Sequence, residues 1–150
     1  MKMKAITLWQ PWAQLIVMGA KKIETRGWHT TYRGEILIHA AKKPVSDCFK
    51  LMTGDAILQM HIAMAERRMM RSDIAGYYPT GVIVGKARLA DCVQITEKYA
   101  MELVKRNPQE YAFGDFTPGR FAWVLEDVEQ FQQPIPASGK QGLWTWEGEL

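Results

Sequence analysis

Cysteine is scarce in this sequence, with Cys48 and Cys92 the only two among 150 residues. Two cysteines outside any Cys-x-x-Cys pair exclude a disulfide scaffold and indicate buried thiols in a reducing compartment. Long hydrophobic runs are also absent. No apolar stretch approaches the roughly 20 residues that span a bilayer, and the N-terminus lacks the pattern of a signal peptide. These absences predict a cytoplasmic protein with no membrane partner.

The motifs of the common cofactor and hydrolase chemistries are missing too. The three histidines have no metal-ligand spacing with one another or with a cysteine, so we expect no metal. Residues 81–86 resemble a phosphate-binding loop but are one residue too short, and Ala87 stands where the magnesium-binding Ser or Thr would be. No dinucleotide-binding glycine pattern and no Gly-x-Ser-x-Gly elbow occurs. The sequence therefore predicts no cofactor and gives little support to an acyl-transfer triad.

The basic residues are concentrated near the N-terminus, although the formal net charge of the chain is only +3. Between residues 1 and 43 the carboxylates are Glu24 and Glu35 alone, whereas between residues 121 and 150 the only base is Lys140. A basic N-terminal face can attract phosphate. The alternative is that the two halves of a strand-rich fold simply differ in charge. The N-terminal bases are Lys2, Lys4, Lys21, Lys22, Arg26, Arg33, Lys42 and Lys43.

Alternating polar and apolar residues predict strands, and apolar residues at helical spacing predict helices, in an irregular order. The predicted strands cover residues 4–9, 22–26, 33–41, 81–93, 120–126 and 143–146. The predicted helices run from Pro11 to Gly19 and over residues 48–52, 55–71 and 97–106. Loops are predicted at 72–81 and at 111–119. This order predicts an α+β fold, a small and partly open β-barrel of about five or six strands with inserted and flanking helices.

Nothing in the sequence divides the chain, because it has no repeat, no low-complexity segment and no linker. We therefore expect one domain over residues 1–150, with a helical insert at about 44–80. In the strand 33–41, His39 is expected on the less apolar face. In the helix 55–71, one stripe is expected to face the core. Its residues are Leu58, Ile62, Ala65 and Met69.

A lysine, a carboxylate and an arginine follow one another closely after Gly19. In the predicted strand 22–26, Glu24 and Arg26 share one face because side chains alternate along a strand. Together with Lys21 they make a poor core but a good pocket for a planar polar or anionic ligand. The alternative is a solvated turn that carries a local salt bridge.

Several segments together resemble the ASCH domain family, a member of the PUA-like superfamily of small β-barrels. The similarity is dense over residues 6–41 and weaker over 81–92 and 121–124. The family signature is Gly-x-Lys-x-x-Glu-x-Arg, matched here by Gly19, Lys21, Glu24 and Arg26. The accompanying segments are Thr7-Leu8-Trp9-Gln10-Pro11-Trp12-Ala13, Tyr32-Arg33-Gly34 and Ile38-His39-Ala40-Ala41.

The resemblance implies a cleft beside the barrel that binds RNA or a modified nucleoside or nucleotide. Some members of the family are reported ribonucleases, and a small bacterial branch hydrolyses the amide of an N-acetylated cytidine. On this chain the lysine of that branch corresponds to Lys21, while its threonine corresponds to Glu24, which is a departure. Its later glutamate would be Glu97 or Glu102.

We therefore single out Lys21 and Glu24 as catalytic candidates. Tryptophans can stack on a base, arginines can hold phosphate, and a histidine titrates near neutrality. The structural alternatives are core packing for the tryptophans, ion pairs with Glu24 and Glu35 for the arginines, and a hydrogen-bonded structural histidine. The substrate-binding candidates are Trp9, Gln10, Trp12, Arg26, Arg33 and His39.

Three functions remain open from the sequence. The first is a module that binds RNA or a nucleotide in a basic cleft. The second is a hydrolase acting on RNA or on an N-acylated cytidine through Lys21 and Glu24. The third is an adaptor whose helix 55–71 docks a protein partner.

Overall fold

The structure is a computed structural model that describes residues 1–67 and 78–150. Its strands are β1 (Lys2–Leu8), β2 (Ile23–Arg26), β3 (Gly34–Ala40), β4 (Val82–Gln94), β5 (Phe121–Pro136) and β6 (Trp144–Glu147). Its helices are α1 (Trp12–Val17), α2 (Val45–Phe49), α3 (Gly54–Glu66), α4 (Glu97–Arg106) and α5 (Pro108–Phe113). The predicted end of the long helix at residue 71, Met69 in its stripe, and most of the predicted loop 72–81 lie outside the described residues. So does part of the insert 44–80.

The strands form a six-stranded mixed sheet in the order β2-β5-β4-β3-β1-β6. Strands β1 and β3 run parallel, and every other neighbouring pair is antiparallel. Within the described residues, the ladder stops at β2 on one side and at β6 on the other, so the sheet is not closed. The predicted α+β fold and small, partly open PUA-like barrel are confirmed.

Apolar side chains cover both faces of this sheet. The larger core packs α1 against one face, with Ile16 of the helix on Ile36 and Ile38 of β3. A smaller cluster on the other face contains Leu37 and Trp144. His39 shares that second face, which carries the smaller apolar cluster as expected, but its side chain is buried, with only 1% exposed. The sequence pattern could not show that β6 would return to cover it.

Strand β5 is longer than the pattern predicted. It pairs with β2 only over Phe121–Val124 and then continues beside β4 as far as Pro136. The strand predicted over 120–126 is therefore too short at its C-terminal end, because β5 includes Pro134 and Pro136. Beyond Val124 the strand has a neighbour on one side only, and such a free edge tolerates residues that lack a backbone N–H. The register between β4 and β5 shifts between Ile83 and Gly85.

One loop prediction and one helix-face prediction were also wrong. The loop was predicted over 111–119, but residues 111–113 belong to α5. This helix starts at a side-chain cap, where Asn107 Oδ1 accepts from the backbone N–H of Glu110. In α3 the predicted stripe faces outward, with Leu58 at 55% and Ile62 at 38% exposure. The buried face is made of smaller and more flexible side chains, because it packs into a narrow space against α1 and α5. Its residues are Ala56, Met60, Ala63 and Met64.

Candidate functional site

A cleft of about 720 Å³ opens where β1 ends, α1 begins, and β2 meets the end of α5. Its walls include Trp9, Trp12 and Trp28, and we call it the tryptophan cleft. Gly19 ends α1 with a φ of +84°, a conformation that favours glycine, and sends the chain directly into β2. The signature segment therefore builds one wall of the cleft through its own turn and strand.

Glu24 and Arg26 form an ion pair in that wall. Nη2 of Arg26 lies 3.2 Å from Oε2 of Glu24 and donates to the carbonyl of Thr7 at 2.9 Å. The other carboxylate oxygen of Glu24 accepts from the backbone N–H of Thr25 at 3.1 Å. Nε of Arg26 is buried and has no hydrogen-bond partner within the described chain. The wall thus offers a fixed carboxylate acceptor and a partly exposed guanidinium group to a planar polar ligand.

Two tryptophans of the cleft present open ring surface. Trp9 is 45% exposed and Trp28 is 39% exposed. Nζ of Lys43 lies over the Trp9 ring, 4.4 Å from the ring centroid, so a cation already contacts one face of that ring. Trp28 is held edge-on against Trp123, with ring centroids 4.8 Å apart. Exposed and anchored tryptophans of this kind are surfaces on which a nucleobase can stack.

A second cavity of about 980 Å³ adjoins the first. Thr7, Trp9, Arg26 and Trp28 line both spaces. The remaining wall carries His39, Lys42 and the loop at residues 138–142, which includes Lys140. We call this space the lysine cavity.

His39 is a hydrogen-bonded wall of the lysine cavity. Nε2 lies 2.8 Å from the carbonyl of Ala137, which can only accept, so Nε2 carries the proton and donates. Nδ1, which then has no proton, lies 3.2 Å from Oγ1 of Thr7 and accepts from that hydroxyl, while Oγ1 itself accepts from the indole N–H of Trp144. Burial lowers the pKa of His39 from 6.5, the bond to Ala137 opposes that shift, and the charge of Lys42 adds to it. The ring therefore acts as a neutral polar surface.

Lys21 lies behind the cleft wall and does not line the cleft. Its side chain is 1% exposed, and Nζ donates to the carbonyls of Ile23 at 2.5 Å and Phe113 at 3.3 Å. The carbonyl of Phe113 also accepts from Nε1 of Trp12 at 3.0 Å. Lys21 and Trp12 thus converge on one carbonyl at the end of α5, which fixes the position of that wall.

The glutamate beside Lys21 is Glu110, on α5. Its Oε2 lies 4.0 Å from Nζ of Lys21, and its Oε1 accepts from the backbone N–H of Lys22 at 2.6 Å. Burial raises the pKa of Glu110, and the charge of Lys21 opposes that rise without cancelling it. The later glutamates considered from the sequence, Glu97 and Glu102, lie exposed on α4, away from both cavities.

Two further candidates are placed outside the cavity walls. Gln10 is fully buried, where Nε2 donates to the carbonyl of Pro79 and Oε1 accepts from the backbone N–H of Gln14. Arg33 donates to two backbone carbonyls of its own loop and lies 3.5 Å from Asp91. The structure therefore brings together Trp9, Trp12, Glu24, Arg26 and His39 around the two cavities, but not Lys21, Gln10 or Arg33.

Several lining residues were missed by reasoning from the sequence. Trp28 and Lys42 directly follow the ends of β2 and β3, and an aromatic or basic residue at that point was the available signal. Arg120 pairs with Asp115 at 3.5 Å across the floor of the tryptophan cleft. A hydrogen bond from Thr117 lowers the pKa of Asp115. No local signal marked this pair, since it depends on how α5 is followed by β5.

Within residues 1–67 and 78–150, no three His, Cys, Asp or Glu side chains come close enough together to hold a metal ion. In the same part of the chain no helix has both the length and the apolar character needed to cross a membrane.

The sequence model of the ASCH domain family matches residues 6–135 of this chain. Two curated relatives are Activating signal cointegrator 1 from Homo sapiens, 26% identical over 149 residues, and from Mus musculus, 24% identical over 148 residues. Each alignment takes in 97% of this chain but only 22% of the relative, so the chain spans about a fifth of their length.

Among solved structures, the crystal structure of ASCH from Zymomonas mobilis superposes with a TM-score of 0.51 at 21% identity. The superposition covers 88% of this chain and 71% of that one. Two mutant structures of the same bacterial protein give TM-scores of 0.50, also at 21% identity, and cover 73% and 72% of their chains. At that identity the likeness shows the fold.

Proposed function

This chain belongs to the ASCH domain family, and from that premise we propose that it binds single-stranded RNA or a nucleotide, with a base held in the tryptophan cleft. Family membership supports an RNA-related binding function. The observation that carries the proposal is the exposed ring of Trp9, which borders the fixed pair of Glu24 and Arg26 in one cleft.

Each wall of the cleft suits one part of a base. The open ring of Trp9 or Trp28 supplies a stacking face, which every nucleobase can use. The carboxylate of Glu24 can accept hydrogen bonds from an exocyclic amino group, while the guanidinium of Arg26, which also lines the cleft, can donate to a carbonyl of the base. A cleft of about 720 Å³ lies within the range of small-molecule sites.

The test is a titration of a mixed-sequence single-stranded RNA hexamer by fluorescence anisotropy, with the protein and with Trp9→Ala. We expect Trp9→Ala to weaken binding by about fivefold or more, since a base–aromatic stack is worth roughly 1–3 kcal/mol. The matched control is Tyr111→Ala, which removes an aromatic ring that is 40% exposed and lines neither cavity. Equal affinities for all three proteins would refute the proposal.

We retain hydrolysis of RNA or of an N-acylated cytidine as a second candidate function. It is favoured by the carboxylate of Glu24, which is held in the cleft at 3.2 Å from Arg26. A carboxylate fixed in this way can activate a water or bind the reacting amide. Lys21 would act as a positioning residue, because it donates to the carbonyl of Phe113 and so holds the cleft wall in place from behind.

The second candidate is tested by incubating the protein with mixed single-stranded RNA and, separately, with N-acetylcytidine, and following the products by chromatography. Turnover that is lost in Glu24→Gln and in Lys21→Ala would establish an enzyme. Glu24→Gln keeps the shape of the wall, whereas Lys21→Ala disturbs a buried pair, so thermal unfolding of both variants is measured alongside. RNA binding without turnover would leave the binding function alone.

A further inference from the structure

The lysine cavity, next to the proposed base site, has the charge and the construction of an anion site. Resting on the binding function above, we propose that it is a subsite for a phosphodiester group of the RNA strand whose base occupies the tryptophan cleft. The two spaces would then hold successive parts of one strand.

The charge of the cavity supports this assignment. Its charged side chains are Arg26, Lys42 and Lys140, and no Asp or Glu belongs to the described residues that line it. In the tryptophan cleft, by contrast, Glu24 and Asp115 balance the arginines. Neither Lys42 nor Lys140 makes an ion pair with a carboxylate of the described chain. The cavity therefore carries positive charge that is not neutralised by the protein, as an anion site requires.

Close packing fixes the loop that carries Lys140 and contacts the side chain of Lys42. A Cβ on Gly139 would lie 2.6 Å from Nδ1 of the His39 ring and 2.7 Å from Oγ1 of Thr7, so only glycine lets the loop sit there. The side chain of Lys42 packs against Gly81, where an added Cβ would lie 3.1 Å from its Cγ. The packing of Gly139 thus sets the position of the loop that brings Lys140 to the cavity, and the packing of Gly81 restricts the side chain of Lys42.

The walls shared by the two cavities set the order of groups along the ligand. Trp9, Arg26 and Trp28 border both spaces, so a base stacked on either ring lies beside the opening of the lysine cavity. Lys43, over the ring of Trp9, adds a cation at that boundary. His39 adds a polar surface without charge, because its Nε2–H is already donated to Ala137. The lysines, and not the histidine, therefore bind the phosphate in this proposal.

The experiment compares two probes by fluorescence anisotropy. They are a mixed-sequence RNA hexamer and the same hexamer with uncharged methylphosphonate linkages. The variants are Lys42→Gln, Lys140→Gln and their combination. The matched control is Lys105→Gln, an exposed lysine on α4 that lines neither cavity. The three lysines are all exposed at the surface, so the fold is expected to be unaffected.

We expect each cavity variant to weaken binding of the charged RNA by up to about fivefold, because one partly exposed ion pair contributes no more than that to affinity. Binding of the uncharged probe should not change. Lys105→Gln should behave as the unaltered protein. If the charged and uncharged probes bind equally well, or the cavity variants match Lys105→Gln, the phosphate subsite is refuted while the base site stands. If neither probe binds, the nucleic-acid function itself is refuted, and the subsite falls with it.

Discussion

At the level of single residues, the buried pair of Lys21 and Glu110 constrains the cleft wall. Lys21→Met would remove the donor to two carbonyls and leave the carboxyl of Glu110 buried without its cation. We expect the free energy of unfolding to fall by about 3–5 kcal/mol, as when one partner of a buried pair is lost. Urea denaturation followed by far-ultraviolet circular dichroism measures this.

The control for that prediction is the combined variant Lys21→Met with Glu110→Gln. The neutral amide can still accept from the backbone N–H of Lys22, and no charge is then left unpaired. We expect the combined variant to recover part of the lost stability. An unchanged urea midpoint in Lys21→Met would show that the pair does not hold the wall.

His39 gives a pH-dependence whose sign follows from its lowered pKa. In the unfolded chain the ring takes up a proton as the pH falls through 6.5, whereas burial in the folded protein resists that proton. Stability is therefore fully present above pH 6.5 and declines as the pH falls below it. His39→Gln should remove this part of the decline. Urea midpoints of both proteins over a pH series measure the difference, and parallel profiles would contradict the prediction.

Single residues of the site were predictable only where the chemistry is local. The pairing of Glu24 with Arg26 follows from their spacing along a strand, and the structure shows it. The burial of Lys21 does not follow from its neighbours, because the carbonyl and carboxyl groups that bind it belong to Phe113 and Glu110, distant in the chain. A lysine beside glycine in a turn gave no sign of such partners.

At the level of elements, α5 links the capping of a helix to the shape of the tryptophan cleft. Asn107→Ala would remove the side-chain cap at its start, and Thr96→Ala would remove the equivalent cap of α4. Each should lower the free energy of unfolding by about 1 kcal/mol. Only Asn107→Ala should also weaken binding of the RNA hexamer, because α5 ends at Phe113 in the cleft wall.

That comparison separates a structural effect from an effect on the site. Chemical denaturation gives the stabilities, and anisotropy with the RNA hexamer gives the affinities. Equal losses of affinity in the two variants would show that the position of α5 does not determine the affinity for RNA.

The elements that were predicted correctly are those with a strong local pattern. β3 and α4 carry clear periodicity and were placed within one or two residues of their observed ends. α5 was missed although Asn107 and Pro108 form a standard helix start, because the glycines and aromatics that follow favoured a loop. The outward face of Leu58 and Ile62 could not be predicted, since α3 has apolar residues on more than one side.

At the level of the whole molecule, the net charge of +3 is too small to attract nucleic acid over long distances. If the proposed phosphate subsite is correct, the unpaired cations of the lysine cavity supply most of the salt-sensitive part of RNA binding. For single strands the logarithm of affinity falls against the logarithm of salt concentration with a slope of about −0.7 per phosphate contacted. We therefore expect a shallow slope for the RNA hexamer, of about −0.7 to −1.4, which corresponds to one or two phosphate contacts.

The same slope tells local phosphate contacts from a diffuse attraction. If the cavity holds a phosphodiester, Lys140→Gln should reduce the slope by about 0.7, because one contact is lost, while Lys105→Gln should leave it unchanged. If attraction comes from the overall charge, both variants lose one positive charge and should shift the slope equally. Anisotropy titrations at four or more salt concentrations decide between them. Trp9→Ala should lower affinity at every salt concentration without altering the slope, because stacking releases no counterions.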